Sequence, residues 1–173
     1  MKLKGIVDED FVNYRLPSMY LIFPNCTFKC DKENRCQLCQ NANLVNEPDI
    51  DISKEEVIER FLKNDLTEAI VCGGLEPMDS EFDLLPFIDC LRRQYKCNST
   101  VVIYTGYTEE ELENGRFGTC IAQDMQKQYW ALIKEYGNIV MKFGRFRPNQ
   151  EPHYDEVLGV NLASDNQYGK EFK

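Results

Sequence analysis

The chain first becomes strongly apolar at Met19-Tyr-Leu-Ile-Phe-Pro24, a short run that ends at a proline. Such a run is typical of a strand that is buried on both faces of a parallel sheet. Further along, Ser53-Lys-Glu-Glu56 has the spacing of a helix-capping box, and the apolar residues of 57–62 then repeat with helical period. The sequence therefore predicts a helix over residues 54–63. A strand followed by a helix is the unit from which we expect the fold to be built.

The same unit recurs along the chain. Strands are predicted at Glu68-Ala-Ile-Val-Cys72, Thr100-Val-Val-Ile-Tyr-Thr105 and Asn138-Ile-Val-Met-Lys142, and apolar residues at helical spacing predict helices over 84–95 and 125–136 between them. Strands that alternate with helices indicate right-handed crossovers and a mostly parallel sheet. Four clear strands and two weaker ones near the termini are too few for a closed eight-stranded barrel. We therefore expect an α/β fold, a partial and open β/α barrel.

Length and composition indicate one folded domain, residues 1–173, because 43% of the residues are apolar and 28% are charged. No apolar run approaches the ~20 residues that span a bilayer, and the start lacks the features of a secretory signal, so we expect a cytoplasmic protein without a membrane partner. The formal charge is −9, from 29 acidic and 20 basic residues. Such a charge repels a phosphate backbone, so nucleic acid is not expected as a partner.

Eight cysteines are many for a chain of this length, and in a reducing cytoplasm they indicate metal binding rather than disulfides. Four of them are scattered along the chain: Cys72, Cys90, Cys97 and Cys120. The other four fall within residues 26–39, directly after the first predicted strand: Cys26, Cys30, Cys36 and Cys39. Only this second group is a candidate site.

The spacing C-x3-C-x5-C-x2-C fits two kinds of metal site. Four close thiolates can enclose a structural zinc ion, and soft thiolate ligands suit an iron–sulfur cluster equally well. The position of the loop favours a reactive metal, because it leaves a buried strand at the sheet edge where ligands gather in parallel α/β folds. Three cysteines on a four-iron cube would leave one iron open to a further ligand.

The cysteine loop resembles the radical S-adenosylmethionine motif C-x3-C-x-aromatic-C, with six residues inserted between its second and third cysteines. The resemblance implies that Cys26, Cys30 and Cys39 hold the cluster. Cys36 is the rival of Cys30 as second ligand, since Cys36-Gln-Leu-Cys39 keeps the C-x2-C half of the motif. Leu38 stands where an aromatic is common in the family, and the resemblance implies that it contacts the cofactor.

Gly73-Gly-Leu-Glu-Pro77 resembles the Gly-Gly-Glu-Pro element of the same superfamily, with Leu75 as an extra residue. The resemblance implies that Gly73, Gly74 and Glu76 lie at the methionyl amino group of S-adenosylmethionine. By itself Gly-Gly after a strand is an ordinary turn signal. Its place, one strand and one helix after the cysteine loop, favours the functional interpretation.

Three later segments resemble, within the superfamily, the activating proteins of anaerobic (class III) ribonucleotide reductase. They are a Tyr-Thr-Gly-Tyr-Thr ending at 104–108, Gly144-Arg-Phe146, and Ser164-Asp-Asn-Gln167. The resemblance implies that Thr105 lies nearest the cofactor. The chain departs from the family at Phe143, where an aspartate usually precedes the glycine.

The resemblance implies reductive cleavage of S-adenosylmethionine at a [4Fe-4S] cluster, which yields methionine and a 5′-deoxyadenosyl radical. In the activating proteins that radical removes a hydrogen from a glycine Cα in the glycyl radical loop of the reductase large subunit. A flavodoxin or a ferredoxin is the kind of electron donor implied, and no side chain is expected to act as a general acid or base. The alternatives are activation of another glycyl radical enzyme, radical chemistry on a small molecule, or a non-catalytic zinc or electron-transfer module.

Overall fold

A computed structural model describes residues 1–118 and 122–173, so Cys120 lies outside the described residues. The strands are β1 (Lys2–Leu3), β2 (Gly5–Asp10), β3 (Ser18–Phe23), β4 (Ile50–Asp51), β5 (Ala69–Gly74), β6 (Thr100–Tyr104), β7 (Ile139–Phe143), β8 (His153–Asp155), β9 (Val160–Leu162) and β10 (Tyr168–Phe172). The α-helices are α1 (Lys29–Asn34), α2 (Lys54–Leu62), α3 (Glu81–Asp89), α4 (Glu109–Glu113) and α5 (Gln123–Glu135), with a π-helical turn at Cys90–Gln94 and 3₁₀ turns at Ala42–Asn46 and Pro77–Asp79.

The described residues form a central six-stranded sheet in the order β10-β7-β6-β5-β3-β2. Strands β3, β5, β6 and β7 pair in parallel. The two edge strands, β2 and β10, pair antiparallel with their neighbours and are the weaker strands expected near the termini. The expected α/β fold with an open, mostly parallel sheet is confirmed, whereas the curvature of a partial barrel stays a prediction.

The observed elements follow the predicted strand–helix alternation closely. Helix α2 begins where the capping box places it, with the Ser53 Oγ accepting a hydrogen bond from the Glu56 main-chain nitrogen at 3.0 Å. The glycine pair is different from its prediction, because β5 continues through Gly73 and Gly74 instead of turning before them. The parallel pairing of Gly74 with Phe23 extends the strand to this point. No helix in the described ranges has the length and apolarity needed to cross a membrane.

Helix α2 shows how the helices cover one face of the sheet. Its residues Val57, Ile58 and Phe61 are almost completely buried in the main core, because apolar positions spaced by three and four share one helix face. Burial of each such side chain contributes about 1.5–3 kcal/mol. Helices α3 and α5 contribute buried residues to the same core. These three helices therefore lie on one side of the sheet.

Side chains alternate along each strand, so the sheet has a second, different face. On β7, Met141 and Phe143 lie in the main core with the helices, whereas Val140 lies in a second core with Leu158 from the β8–β9 hairpin segment. The alternation places Lys142 on this second face. The carboxyl ends of the parallel strands open between the hairpin and the cysteine loop, and the candidate site lies there.

Candidate functional site

A cleft of about 350 Å³ lies at the carboxyl ends of β3, β5, β6 and β7. It brings together residues that are far apart in sequence, and most of the predicted site is among them. The lining includes Cys26, Cys30, Cys39, Gly73, Gly74, Glu76, Thr105, Lys142, Gly144, Arg145, Phe146 and Gln167.

Two of the residues predicted for the site lie elsewhere. Cys36 is exposed and lines a separate groove with Phe28 and Val45. Leu38 is half-buried and does not line the cleft. Within the described ranges, no three side chains of His, Cys, Asp or Glu are grouped closely enough to hold a single metal ion.

The inserted segment of the cysteine loop is folded, and it closes on itself. It contains the short helix α1, which is flanked by Phe28 and Arg35, and these two residues have left-handed backbone at φ 51° and 55°. The Asp31 Oδ1 accepts hydrogen bonds from the main-chain nitrogens of Leu38 at 2.8 Å and Cys39 at 2.9 Å. This carboxylate brings the end of the insertion back towards its start, and so returns Cys39 to the cleft that Cys30 lines.

The thiols that line the cleft are partly removed from water. Burial raises the pKa of the Cys26 thiol to about 12, although a hydrogen bond donated by the Phe28 main-chain nitrogen at 3.2 Å opposes the shift. Burial also raises the pKa of Cys30 and of Cys39. Because iron binds the thiolate form, cluster binding here must release protons.

A buried carboxylate ties the cysteine loop to the rest of the site. Asp79 accepts hydrogen bonds from the Thr27 main-chain nitrogen at 2.6 Å, the Tyr107 hydroxyl at 2.5 Å and the Gly118 main-chain nitrogen at 3.1 Å. Three donors to one carboxylate offset the cost of its burial. Asp79 was not predicted from the sequence, since its partners lie 28 to 52 residues away and leave no local pattern.

The glycine pair lets the end of β5 lie close against β3. Gly74 has φ +94°, and a Cβ there would lie 2.8 Å from the Phe23 main-chain nitrogen. A Cβ at Gly73 would lie 2.8 Å from a ring carbon of Tyr20, which also lines the cleft. The Gly74 nitrogen donates to the Tyr20 hydroxyl at 2.8 Å, and its carbonyl accepts from the Asn41 amide at 2.8 Å. At Gly74, the last residue of β5, only a residue without a side chain fits.

Glu76 joins the end of β5 to the end of β6. Its carboxylate accepts hydrogen bonds from the main-chain nitrogens of Gly106 at 2.8 Å and Met78 at 3.1 Å. Burial, with the nearby charge of Asp79, raises the pKa of Glu76 to about 7. The carboxyl group is therefore held in place beside the thiols, where it can accept a hydrogen bond from a cationic ligand.

Lys142 supplies the opposite charge on the β7 side of the cleft. Its side chain is buried, and the Nζ donates a hydrogen bond to the Gly144 carbonyl at 2.8 Å. Burial lowers the pKa of Lys142 to about 8. The protonated, positively charged form is therefore still the major one at neutral pH. Lys142 was predicted only as a strand residue, although a lysine at the end of an apolar strand is a signal for a buried charge with a function.

The two C-terminal segments predicted from the resemblance meet at Gly144. The Gln167 Oε1 accepts hydrogen bonds from the main-chain nitrogens of Ala163 and Ser164 at 3.1 and 3.2 Å, and its Nε2 donates to the Gly144 carbonyl at 3.3 Å. Arg145 pairs with Glu111 at 2.7 Å. These contacts hold the loop after β7 against the mouth of the cleft.

The donor set fits a cluster that is held by three cysteines. Cys26, Cys30 and Cys39 place soft thiol donors around one cleft, and such donors suit iron–sulfur clusters. Gly73, Gly74 and Glu76 line the same cleft as these thiols.

Comparison with known proteins agrees with this chemistry. The model of one family, described as the 4Fe-4S single cluster domain, matches residues 17–153. The matched range contains all four cysteines of the loop and the four parallel strands of the sheet. No curated protein and no solved structure matches the chain. The match indicates an iron–sulfur domain of the kind associated with radical S-adenosylmethionine chemistry, and the chain belongs to the 4Fe-4S single cluster domain family.

Proposed function

We propose that this protein is a radical S-adenosylmethionine activase that generates a glycyl radical on anaerobic ribonucleotide reductase. The observation that supports the proposal is convergence at one cleft. The cysteine loop, the glycine pair with Glu76, Thr105, Gly144-Arg-Phe146 and Gln167 are far apart in sequence, and all of them line it. These are the segments that carry the resemblance to the superfamily and to its activating proteins. They therefore lie at one place in the structure as well.

In this proposal Cys26, Cys30 and Cys39 hold the [4Fe-4S] cluster, and Cys36 does not. Cys36 is exposed and faces a different groove, which favours Cys30 as the second ligand. When bound, the cluster supplies one electron to S-adenosylmethionine, and the resulting 5′-deoxyadenosyl radical can remove a hydrogen from a glycine Cα. The residues of the chain bind and orient the cofactor and exclude water from the site. None of them is assigned a general acid or base role.

The end of β5 is the proposed subsite for the cationic amino group of the cofactor. The Gly74 carbonyl and the Glu76 carboxylate are acceptors there, and both line the cleft. The missing side chains at Gly73 and Gly74 let the end of β5 lie close against β3, which sets the position of these acceptors. Thr105, which is buried and follows β6, is proposed to contact the cofactor from the neighbouring strand.

A peptide loop of the reductase large subunit is the proposed substrate. Val12 lines the cleft and is 73% exposed, and the adjacent Phe11 is 64% exposed. Two exposed apolar side chains beside an open cleft suit contact with another protein. A flavodoxin or a ferredoxin is proposed as the electron donor. The partial β/α barrel expected for this class would leave the cleft open to such a loop.

Anaerobic reconstitution with iron and sulfide tests the proposal, followed by electron paramagnetic resonance of the reduced protein with and without S-adenosylmethionine. We expect a reduced-cluster signal that changes when the cofactor is added. Incubation with the reductase should then yield 5′-deoxyadenosine and a glycyl radical signal, and the Cys39→Ala variant should yield neither.

Each other outcome points to one of the alternatives. Cofactor cleavage without a radical on the reductase would direct the assignment to another glycyl radical enzyme or to a small-molecule substrate. A protein that keeps zinc and takes up no iron would instead be a structural module, and the proposal would be wrong.

A further inference from the structure

A second groove borders the cysteine loop outside the cleft, and the proposed function assigns it no role. It has a volume of about 570 Å³ and shares no lining residue with the cleft. Phe28, Lys32 and Cys36 of the cysteine loop line it, together with Val45 of the 3₁₀ turn that follows. We call it the loop groove. It gives the cysteine loop a surface that a ligand in the cleft would leave free.

Two lining residues of the loop groove are hydrogen-bonded to proposed cluster ligands. The Phe28 main-chain nitrogen donates a hydrogen bond to the Cys26 Sγ at 3.2 Å. The Asp31 Oδ1 accepts one from the Cys39 main-chain nitrogen at 2.9 Å. Phe28 and Asp31 line the groove, whereas Cys26 and Cys39 line the cleft. A protein seated in the groove would therefore lie one residue away from two cluster ligands without entering the cleft.

The loop groove exposes apolar side chains. Val45 is 47% exposed, Cys36 is exposed and Phe28 is half-buried. Exposed apolar side chains that line one groove indicate a contact surface for another protein. Small interfaces are typical of electron-transfer complexes, whose partners bind weakly and separate again. A contact surface of this size suits such a transient partner.

Positive charge at the loop groove has no partner within the described residues. Lys32 lines the groove and Arg35 follows α1, both are exposed, and neither forms a salt bridge in this part of the chain. The two carboxylates of α1 are already engaged. Asp31 accepts the main-chain hydrogen bonds described above, and Glu33 pairs with Arg145 at 3.5 Å. An acidic protein would be attracted to these two cations, although the chain as a whole has a formal charge of −9.

We propose that the loop groove is the docking surface for a small acidic protein that carries one electron to the cluster. This inference rests on the proposed function, since it names the surface through which the reductant of the same site acts. One electron passes from the reduced carrier to the cluster, so the carrier is oxidised and the cluster is reduced by one electron each. No bond forms or breaks between the two proteins. Docking here leaves the cleft free for S-adenosylmethionine and for the peptide of the reductase.

Binding of a recombinant flavodoxin with a net negative charge tests the proposal. Its dissociation constant for the anaerobically reconstituted protein is measured by titration calorimetry at several salt concentrations. The variants are Lys32→Glu, which reverses a charge at the groove, and Val45→Gln, which replaces an apolar contact without adding charge. Lys63→Glu is the matched control, because Lys63 lies outside the groove and its side chain is 78% exposed. Iron content and melting temperature are recorded for every variant.

A second measurement separates docking from the chemistry of the cleft. The rate of 5′-deoxyadenosine formation from S-adenosylmethionine is followed with reduced flavodoxin at a concentration below its dissociation constant. The same rate is followed with dithionite, a small reductant that needs no protein docking surface. A change that affects only the flavodoxin-driven rate lies in the docking step.

We expect Lys32→Glu and Val45→Gln each to weaken flavodoxin binding at least about fivefold and to slow the flavodoxin-driven rate in proportion. The dithionite-driven rate should stay within about twofold of the parent value, the margin for a surface change away from the cleft. Lys63→Glu should resemble the parent protein in all of these measurements. Rising salt should weaken binding by the parent protein more than binding by Lys32→Glu, because salt screens exposed charges.

Unchanged flavodoxin binding in both groove variants would overturn the docking surface and leave the proposed function intact. An equal loss of the flavodoxin-driven and dithionite-driven rates would overturn it too, since the residues would then support the cluster itself. Variants that bind flavodoxin normally and bind the reductase more weakly would assign the groove to the substrate protein instead. If the parent protein takes up iron and cleaves no S-adenosylmethionine with either reductant, the proposed function fails, whereas groove-dependent flavodoxin binding would still identify an electron-transfer surface.

Discussion

The Asp31 carboxylate accepts a hydrogen bond from the main-chain nitrogen of Cys39 at 2.9 Å. The same oxygen atom accepts a second hydrogen bond from Leu38 at 2.8 Å. Because Asp31 lies in α1, directly after Cys30, the contact fixes the distance between the second and third cysteines that line the cleft. The insertion therefore acts as a closed loop, and it returns Cys39 to the cleft that Cys30 lines.

Replacement of Asp31 should loosen the cysteine loop. Asp31→Ala leaves two main-chain donors without their acceptor, which costs about 1–3 kcal/mol, and we expect the reconstituted protein to lose iron to a chelator several-fold faster. Asp31→Asn keeps an acceptor oxygen, so its rate of iron loss should lie between those of Asp31→Ala and the parent protein. Lys32→Ala, on the exposed side of the same helix, is the control. Equal rates of iron loss in Asp31→Ala and Lys32→Ala would contradict the role given to the carboxylate.

Single cysteine substitutions should separate the ligands from the rival. We expect Cys26→Ala, Cys30→Ala and Cys39→Ala each to prevent stable cluster formation, because each removes a thiolate from the cleft. Cys36→Ala should keep its iron, since this thiol is exposed and outside the cleft. Iron and sulfide analysis after anaerobic gel filtration measures the difference. Loss of the cluster in Cys36→Ala, with retention in Cys30→Ala, would exchange their roles.

A methyl group at Gly74 should damage both the fold and the site. Its backbone has φ +94°, and the added Cβ would meet main-chain atoms of β3, so strain of about 1–3 kcal/mol is expected before the contact is counted. The melting temperature should fall, and cluster retention should fall with it. Gly5→Ala is a fitting control, because its Cβ would meet only the end of the Ile22 side chain, at 3.3 Å. Similar melting temperatures for the two variants would argue against a strained Gly74.

The ion pair between Arg145 and Glu111 should make stability depend on pH. Burial alone would raise the pKa of Glu111, but hydrogen bonds from Arg145 and the Thr108 main chain hold it below the ordinary value of 4.5. A carboxyl pKa that is lower in the folded state adds stability above the unfolded value, and that stability is lost as the pH falls through the folded value. The contribution should therefore be complete at pH 7 and should decline below pH ~4.5.

Glu111→Gln isolates this effect, because glutamine can keep the capping box with Thr108. We expect a loss of about 1–2 kcal/mol at pH 7, or a melting temperature about 2–8 °C lower. The difference from the parent protein should shrink when both are measured near pH 4. A difference that stays constant between pH 7 and pH 4 would rule out the charge as its source.

Sequence patterns predicted the repeating part of the structure well, because strand and helix periodicity is local. The helix after Ser53 and the parallel strands up to β7 follow from neighbouring residues. The patterns could not predict α1, which has no buried residue and no apolar periodicity. They also missed Asp79, which depends on partners from three other segments. Contacts between distant segments exist only once the chain has folded.

The site shows the same division. The cysteines and the glycine pair were identifiable because their spacing is compressed into short segments. Lys142 was not identifiable, because its place in the cleft follows from side-chain alternation along β7. The same alternation directs Phe143 into the core. A one-residue difference in position at the end of a strand reverses the face on which a side chain lies.

The two antiparallel edge strands have a consequence for how this protein behaves in concentrated solution. Open sheet edges attract strands from other molecules unless charges or irregular pairing discourage them. Strand β2 carries Asp8 and Glu9 and pairs irregularly between Val7 and Asp10, and β10 carries Lys170 and Glu171. Edge-to-edge aggregation is thereby disfavoured, and the protein should tolerate the high concentrations that anaerobic spectroscopy requires.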